Sequence, residues 1–197
     1  MNLSEELIAY INGFITGDIA LYKDKKGRLV AQLGTTHPLQ EKLFVELFKP
    51  ISIGGRIYKW PERKLYSGRL TYYWTLRTYI HPRYSFLLKK MLHIPQEYIN
   101  DIRLLSAFTA GLTDADGTIT IEKSYSRVKP LFKIVNKNYE LLKELQDGWR
   151  RYGIHIPELR INKNVGDGYR KYPTWELRVR GRKVYLLLKY LGSQYKA

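Results

Sequence analysis

The chain has no cysteine and only two methionines among its 197 residues. Without cysteine, disulfide frameworks, thiolate catalysis and zinc fingers built on thiolate ligands are excluded. No apolar run approaches the ~18 residues of a membrane-spanning helix, and residues 1–6 lack the basic start of a signal peptide. We therefore expect a soluble, intracellular protein (in the cytoplasm, a nucleoid or an organelle) with no membrane partner.

Acidic residues are also scarce. The 18 Asp and Glu residues are outnumbered by 34 Lys and Arg, which gives a formal net charge of +16. The hydrophobic fraction of 44% is large enough to build a core, so a disordered chain is not expected. A solvated basic surface, as in ribosomal and many thermophile proteins, would account for the charge. We favour a nucleic-acid partner, because a positive excess of this size attracts a polyanion and speeds its association.

Two segments of the sequence repeat each other. Residues 10–18 read Y-I-N-G-F-I-T-G-D, and residues 108–117 read F-T-A-G-L-T-D-A-D-G. At a constant spacing of 98 residues, three pairs align: Gly13 with Gly111, Gly17 with Ala115, and Asp18 with Asp116. The tetrapeptide W-T-L-R at 74–77 matches W-E-L-R at 175–178. The chain is therefore predicted to be a tandem duplication with halves at residues 1–98 and 99–197.

Hydrophobic periodicity predicts the same order of elements, α-β-β-α-β-β-α, in both halves. The first half has predicted helices at about 3–15, 38–48 and 82–92, and strands at 19–22, 29–33, 57–66 and 70–79. The second half has predicted helices at about 104–115, 138–152 and 182–195, and strands at 118–125, 128–135, 158–162 and 174–180. An α+β fold follows, with helices on one face of each antiparallel sheet.

The repeated motifs place small residues four apart on two helices: Gly13 and Gly17 on one, Gly111 and Ala115 on the other. Such stripes let two helices pack closer than the usual 8–10 Å between axes. Their C-terminal ends then meet where Asp18 and Asp116 lie. A carboxylate beside the negative end of a helix dipole is unfavourable unless a cation relieves it.

Carboxylates and the helix-end carbonyls of Gly17 and Ala115 together form an oxygen-rich site suited to Mg²⁺. Two carboxylates alone bind such an ion weakly, so DNA phosphate oxygens are expected to complete the coordination. The alternative is that each aspartate simply begins a turn. Two occurrences in register, in a strongly basic chain, favour the metal site.

The motif T-A-G-L-T-D-A-D-G at residues 109–117 resembles the signature of the LAGLIDADG homing endonucleases and differs from it at two positions. The motif at residues 10–18 is more degenerate, but both motifs keep the terminal acid. Through the duplication and the order of elements, the resemblance to the single-chain, two-motif form covers nearly the whole chain. It implies that the halves pack through the motif helices, that the antiparallel sheets form a DNA-binding saddle, and that Asp18 and Asp116 bind metal.

The family often places an amide that positions the hydrolytic water at the junction between the second strand and the next helix. Residues 134–138, I-V-N-K-N, resemble that junction, and Asn136 fits the role. The counterpart in the first half falls at Thr36-His37, which departs from the pattern. Either the two sites are unequal, or Gln32 or His37 takes the place of the amide.

The resemblance also implies that the sheets lie in the DNA major groove. A strand of ~10 residues spans ~33 Å, about 10 bp, so two halves cover about 20 bp. Any one polar strand residue is as easily a solvated side chain as a DNA contact. The candidate contacts are Lys23, Lys25, Arg28, Arg56, Lys59, Arg63, Lys64, Arg69, Thr75, Arg77, Lys123, Arg127, Lys129, Lys133, Arg160, Asn162, Lys163, Arg170, Lys171, Glu176, Arg178 and Arg180.

The predicted function is site-specific hydrolysis of double-stranded DNA by a monomer, across the minor groove, leaving 3′ overhangs. Mg²⁺ is the expected cofactor, Mn²⁺ a substitute, and Ca²⁺ an ion that supports binding with little cleavage. Because matched positions differ, as Thr75 and Glu176 do, the target should be only pseudo-palindromic. The alternatives are a maturase that acts on intron RNA and a DNA-binding regulator without metal chemistry. A regulator would need neither Asp18 nor Asp116.

Overall fold

The computed structural model describes residues 3–66, 69–124, 127–157, 159–162 and 173–192. The chain forms two compact units, which we call the N-terminal sheet unit (residues 18–90) and the helix-pair unit (residues 1–17 and 91–197). The predicted halves at 1–98 and 99–197 follow the sequence repeat rather than these units, and remain a prediction about the duplication. Within the described ranges, every helix is too short or too polar to span a bilayer.

The elements alternate along the chain much as the periodicity predicts. The helices are α1 (Glu5–Gly17), α2 (Pro38–Phe48), α3 (Gln96–Asn100), α4 (Ile102–Asp116), α5 (Tyr139–Arg151) and α6 (Arg182–Gly192). The strands are β1 (Ala20–Lys23), β2 (Leu29–Thr35), β3 (Tyr58–Tyr66), β4 (Arg69–Tyr79), β5 (Gly117–Ser124), β6 (Arg127–Asn136), β7 (Arg160–Asn162) and β8 (Thr174–Arg180). Helix α3 is short and lies in the segment that joins the halves, and the hydrophobic periodicity does not predict it.

Each unit contains one four-stranded antiparallel sheet, and the two sheets have the same strand order. That order is β1-β2-β4-β3 in the N-terminal sheet unit and β5-β6-β8-β7 in the helix-pair unit. Leu33 and Leu76 on one face of the first sheet, like Phe132 and Leu177 on one face of the second, are fully buried. We call this the covered face and its opposite the open face. The predicted α+β fold with duplicated sheets is confirmed.

Residues 82–92 do not form the helix that their periodicity predicts. The segment contains one 3₁₀ turn at Pro82–Tyr84 and is otherwise irregular. The Ser85 hydroxyl donates to the Pro82 carbonyl at 2.8 Å, and the Ser85 backbone N–H donates to the same carbonyl at 3.1 Å. A serine that bonds locally in this way competes with the i to i+4 ladder. Tyr84 and Leu88 are both buried and lie four residues apart. Their spacing therefore matches helical periodicity in the sequence although the segment is not a helix.

The motif helices α1 and α4 pack backbone against backbone inside the helix-pair unit. A Cβ on Gly13 would lie 2.1 Å from the Phe108 carbonyl oxygen, and a Cβ on Gly111 would lie 2.0 Å from the Tyr10 carbonyl oxygen. Both distances are far below any real Cβ contact, so only glycine fits at either position. The expectation that small residues bring the motif helices together is met, and the two contacts mirror each other across the repeat.

In the helix-pair unit, side chains cap α4 and α5 at their first turns. The Asp101 carboxylate accepts the Arg103 backbone N–H at 2.8 Å and pairs with its guanidinium at 2.8 Å, which holds the pKa of that carboxyl below its usual range. At α5, Asn138 Oδ1 accepts the Leu141 N–H at 3.2 Å. These caps fix where the helices begin.

Replacing Gly13 or Gly111 by alanine should lower the free energy of unfolding by about 1–3 kcal/mol, because the added methyl group would overlap a backbone carbonyl. Urea unfolding measures the change. The matched control is Gly192→Ala at the end of α6, where a Cβ would meet nothing within 4 Å. That variant should be neutral or slightly more stable. Unchanged stability in both Gly13→Ala and Gly111→Ala would contradict the close helix contact.

Candidate functional site

In the helix-pair unit, an acid and an amide meet at the end of α4. Asn136, the last residue of β6, donates from Nδ2 to Asp116 Oδ2 at 2.9 Å. Its Oδ1 accepts the backbone N–H of Asn138 at 2.9 Å. A backbone N–H can only donate, so this second bond turns the amide oxygen toward the chain and the NH₂ group toward Asp116. The structure thus brings together the two residues that the sequence assigned to one site.

In the N-terminal sheet unit, an equivalent acid–amide pair involves a residue that the sequence analysis missed. Gln40, in the first turn of α2, donates from Nε2 to Asp18 Oδ2 at 2.8 Å. Gln40 Oε1 accepts the Thr35 hydroxyl at 2.6 Å, and Thr35 Oγ1 accepts the His37 backbone N–H at 2.9 Å. Because the ionised Asp18 carboxylate can only accept, the NH₂ group of Gln40 faces it, and Gln40 Oε1 is left to accept the Thr35 hydroxyl proton.

The register shows that Thr35 and Asn136 are counterparts. Thr35 lies opposite Trp74 and Asn136 lies opposite Trp175, and both accept the backbone N–H two residues further on. The Asn136 side chain makes both bonds: it accepts the backbone N–H of the turn and donates its amide N–H to the carboxylate. In the first half, Thr35 supplies the acceptor and Gln40 the donor.

This arrangement corrects the expectation that Gln32 or His37 replaces the missing amide. Gln32 Oε1 instead accepts hydrogen bonds from Arg77 on the open face of the first sheet. The His37 side chain is exposed and only its backbone N–H enters the chain of bonds. Both acids receive an amide N–H, and unequal activity of the two sites stays a prediction. Sequence alignment could not reveal Gln40, which enters from a helix rather than from the strand end.

The electrostatic setting of Asp18 disfavours its charged form. The side chain reaches solvent, yet crowding by neighbouring atoms desolvates it and raises the pKa of the Asp18 carboxyl above its usual range. The Gln40 N–H and the Lys90 ammonium oppose that rise without cancelling it. A cation beside this carboxylate would favour its ionised state.

The donor set fits a hard divalent cation only in part. The carboxylates and the carbonyls of the last helical turns are oxygen ligands of the kind that Mg²⁺ prefers. In the described ranges, no three His, Asp or Glu side chains cluster in a way that could hold a metal ion. The predicted positions Gly17 and Ala115 do lie together at the ends of α1 and α4, since a Cβ on Gly17 would be 2.3 Å from Ala115 Cβ. Further ligands must come from a bound molecule.

Alternation along the strands sorts the candidate nucleic-acid contacts by face. The cations with open-face positions are Arg77 in the first sheet and Lys129, Lys133, Arg160, Arg178 and Arg180 in the second. Exposed cations at turns and strand ends are Lys23, Lys25, Arg28, Arg56 and Lys123. The candidates Lys64, Arg69, Arg127 and Asn162 lie in described strands, whereas Lys163, Arg170 and Lys171 lie outside the described residues.

Three candidates do not fit an open-face contact. Lys59 and Arg63 lie on the covered face, and Lys59 pairs with Glu41 of α2 while its ammonium sits 4.1 Å from the Trp74 ring. Thr75 is only 1% exposed, because it is a short side chain in the central strand between its cross-strand neighbours. The sequence fixes neither register nor face, so it grouped these residues with the others.

The open face of the second sheet also carries carboxylates. Glu176, a predicted contact, lies 3.3 Å from Arg178 Nε and 3.9 Å from Lys133 Nζ. Glu122, which the sequence analysis did not single out, lies 2.9 Å from Arg180 Nε. Glu122 could have been identified from the alternating pattern of β5. It lies two residues from a polar neighbour and therefore on the same face of the strand.

Comparison with known proteins gives a family match and several structural matches. The LAGLIDADG-like domain family matches residues 103–192. No curated protein sequence matches the chain. Homing endonuclease I-WcaI, bound to its DNA recognition sequence, superposes with a TM-score of 0.64 at 15% identity, over 97% of this chain and 82% of that one.

Two structures of DUF199/WhiA are similar to the same degree. The full-length protein from Thermatoga maritima gives a TM-score of 0.63 at 16% identity, over 98% of this chain but only 57% of that one. Its N-terminal LAGLIDADG domain gives a TM-score of 0.60 at 14% identity, over 97% of this chain and 83% of that one. At these identities the likeness concerns the fold. The predicted resemblance is confirmed at this level: residues 103–192 match the LAGLIDADG-like domain family, and the chain has the LAGLIDADG fold.

Proposed function

We propose that this protein is a site-specific, metal-dependent DNA endonuclease that acts as a monomer. The observation that supports it most directly is the repeated acid–amide pair, Asp18 with Gln40 and Asp116 with Asn136, each at the end of a motif helix. A net charge of +16 and basic open faces suit a DNA partner. The shared fold with a DNA-bound homing endonuclease is consistent with the proposal.

Asp18 and Asp116 would hold the divalent ions, with the carbonyls of Gly17 and Ala115 and phosphate oxygens of the DNA as further ligands. Oxygen donors fit Mg²⁺, with Mn²⁺ as a substitute, and Ca²⁺ would support binding with little cleavage. When bound, such an ion polarises the phosphate and lowers the pKa of the attacking water.

The chain's own residues orient the site and hold the substrate. The amides of Gln40 and Asn136 fix the direction of the two carboxylates, as hydrogen-bonded neighbours of metal ligands commonly do. The open-face cations bind phosphates and base edges. Strands β4 and β6, with 11 and 10 residues, each extend over about 10 bp, and the two sheets together over about 20 bp.

Replacing Asp18 or Asp116 by asparagine should reduce cleavage by at least about 100-fold, because each change removes a metal-binding charge that provides several kcal/mol of transition-state stabilisation. The assay is Mg²⁺-dependent digestion of a duplex library with randomised ~20 bp sites. Binding of DNA in Ca²⁺ should persist.

Asp147→Asn is the matched control, because Asp147 is a partly exposed carboxylate on α5 paired with Lys143 and Arg150. It should cut like the unchanged protein. Cleavage of both strands by the Asp18→Asn, Asp116→Asn double variant would refute the assignment. Sequence-preferring DNA binding without cleavage in any divalent ion would instead favour the regulator.

Thr35→Val should slow cleavage of one strand by roughly fivefold, the effect of losing one hydrogen bond worth ~1 kcal/mol, because Gln40 then loses its fixed orientation. Thr35→Ser keeps the hydroxyl and should retain the rate. Asn136→Ala should slow the other strand. Strand-specific labelling measures both rates, and the side-chain amide resonances of Gln40 should shift in Thr35→Val but not in Thr35→Ser. Equal effects of Thr35→Val on both strands would contradict this role.

Cleavage should leave 3′ overhangs. Sheets in the major groove of each half-site direct the reaction to the minor groove between them, and nearest phosphates across that groove in B-DNA have a 3′ stagger. End-mapping on duplexes labelled on either strand tests this expectation. Blunt or 5′-extended ends would contradict it.

A further inference from the structure

The two open faces carry an arginine at equivalent positions but surround it with different chemistry. Arg77 on β4 and Arg178 on β8 each follow the repeated tryptophan by three residues. Directly across the sheet from Arg77 lies Gln32 on β2, and across from Arg178 lies Lys133 on β6. The equivalence allows the two faces to be compared residue by residue, each within its own unit.

Around Arg77 the open face presents hydrogen-bond donors. Gln32 Oε1 accepts Arg77 Nε at 3.1 Å and Nη2 at 2.9 Å, and it also accepts the Tyr22 hydroxyl at 3.0 Å. The amide oxygen is therefore used, while the NH₂ group of Gln32 points away from these donors. The Trp60 ring, 5.2 Å from the guanidinium, supports it from the next strand. Gln32 and Arg77 together form a rigid group of N–H donors.

Glu62 is a carboxylate on the same face of β3. It lies opposite Tyr73 in the register, and it accepts the Trp60 indole N–H at 2.9 Å and the Tyr73 hydroxyl.

Around Arg178 the open face combines donors with carboxylate acceptors. Lys133 directly opposite Arg178 is a like-charge pair, which by itself destabilises a sheet. Glu176 lies within 3.9 Å of Lys133 Nζ and 3.3 Å of Arg178 Nε and so compensates the pair. Its side chain is only 13% exposed, which suits this internal role.

Glu122 has a different position and exposure. From β5 it reaches across the intervening strand to Arg180 Nε at 2.9 Å and Arg178 Nη2 at 3.5 Å, over the buried side chain of Leu131. Its side chain is 31% exposed, more than twice the exposure of Glu176.

We propose that the two open faces read their half-sites with different hydrogen-bond polarity: Gln32 and Arg77 select guanine in one half-site, and Glu122 selects cytosine in the other. The proposal rests on the proposed function, since it takes the open faces as the DNA-binding surfaces. Guanine presents two acceptors in the major groove, which match a group of N–H donors. Cytosine presents its N4 amine, which matches a carboxylate that its arginine partners hold in place.

A carboxylate in a basic groove also acts against wrong sequences. It repels phosphates and leaves an unpaired charge wherever no amine donor faces it, which weakens binding to DNA in general. Removing the charge of Glu122 should therefore increase affinity for non-specific DNA while it reduces selectivity at one base pair. A purely electrostatic role would produce only the first effect.

The test is selection of bound duplexes by the full chain in Ca²⁺, from a library randomised over ~20 bp, followed by sequencing. The unchanged protein should prefer guanine at one position of the first half-site and cytosine at one position of the second. Glu122→Gln should reduce the cytosine preference in one half-site by about fivefold or more and leave the other half-site unchanged. Gln32→Glu keeps the acceptor for Arg77 but removes the NH₂ donors, so it should reduce the guanine preference only.

Glu140→Gln, a change of the same charge on an exposed acid of α5, is the control and should leave every base preference unchanged. Thermal unfolding followed by circular dichroism establishes that each variant is folded. Higher affinity for all DNA with unchanged base preferences in Glu122→Gln would overturn the proposal. A protein that binds no preferred sequence would instead refute the proposed function, so the two failures are distinguishable.

Discussion

The backbone contact between α1 and α4 is the constraint on which the candidate site depends. Gly13 faces the Phe108 carbonyl and the Leu112 amide, and Gly111 faces the Tyr10 carbonyl and the Phe14 amide. These neighbours are related by the same spacing as the glycines themselves, so the contact repeats across the duplication. Because backbone atoms, not flexible side chains, set the separation, the ends of both helices are fixed. Gly17, the residue directly before Asp18 in the sequence, is held against Ala115 there.

A second constraint is the direction of hydrogen bonding at the acids. In each unit, a backbone N–H at the start of the helix after the second strand donates to the last side chain of that strand, and an amide N–H faces the carboxylate. Asn136 achieves this alone, and Thr35 and Gln40 achieve it together. The two halves therefore share the direction of these hydrogen bonds, from the amide to the carboxylate, although the residues that make them differ. Polarity of this kind cannot reverse without leaving a donor unpaired.

The strand register determines which basic side chains lie on the open face of each sheet. Lysines and arginines occur throughout the strands, but alternation directs some of them, such as Lys59, to the covered face. On the open face of the second sheet, Glu122 pairs with Arg178 and Arg180, and Glu176 pairs with Arg178 and Lys133. The open face of the first sheet uses a neutral amide at the corresponding arginine. The duplicated scaffold thus presents two chemically different sheet surfaces.

The sequence alone determined the features that depend on local pattern. Periodicity and spacing are properties of neighbouring residues, so the duplication, the positions of nearly all helices and strands, the small-residue stripes and the two aspartates were evident from it. Ser85 shows the limit, because its local hydrogen bonds to Pro82 override a helical pattern of burial. Only the tertiary structure decided which side chains meet. Gln40 reaches Asp18 from a helix 22 residues further along the chain, and Glu122 reaches Arg180 across another strand. Contacts of this kind follow from strand register and helix placement, which are fixed by packing of the whole unit and not by any one segment.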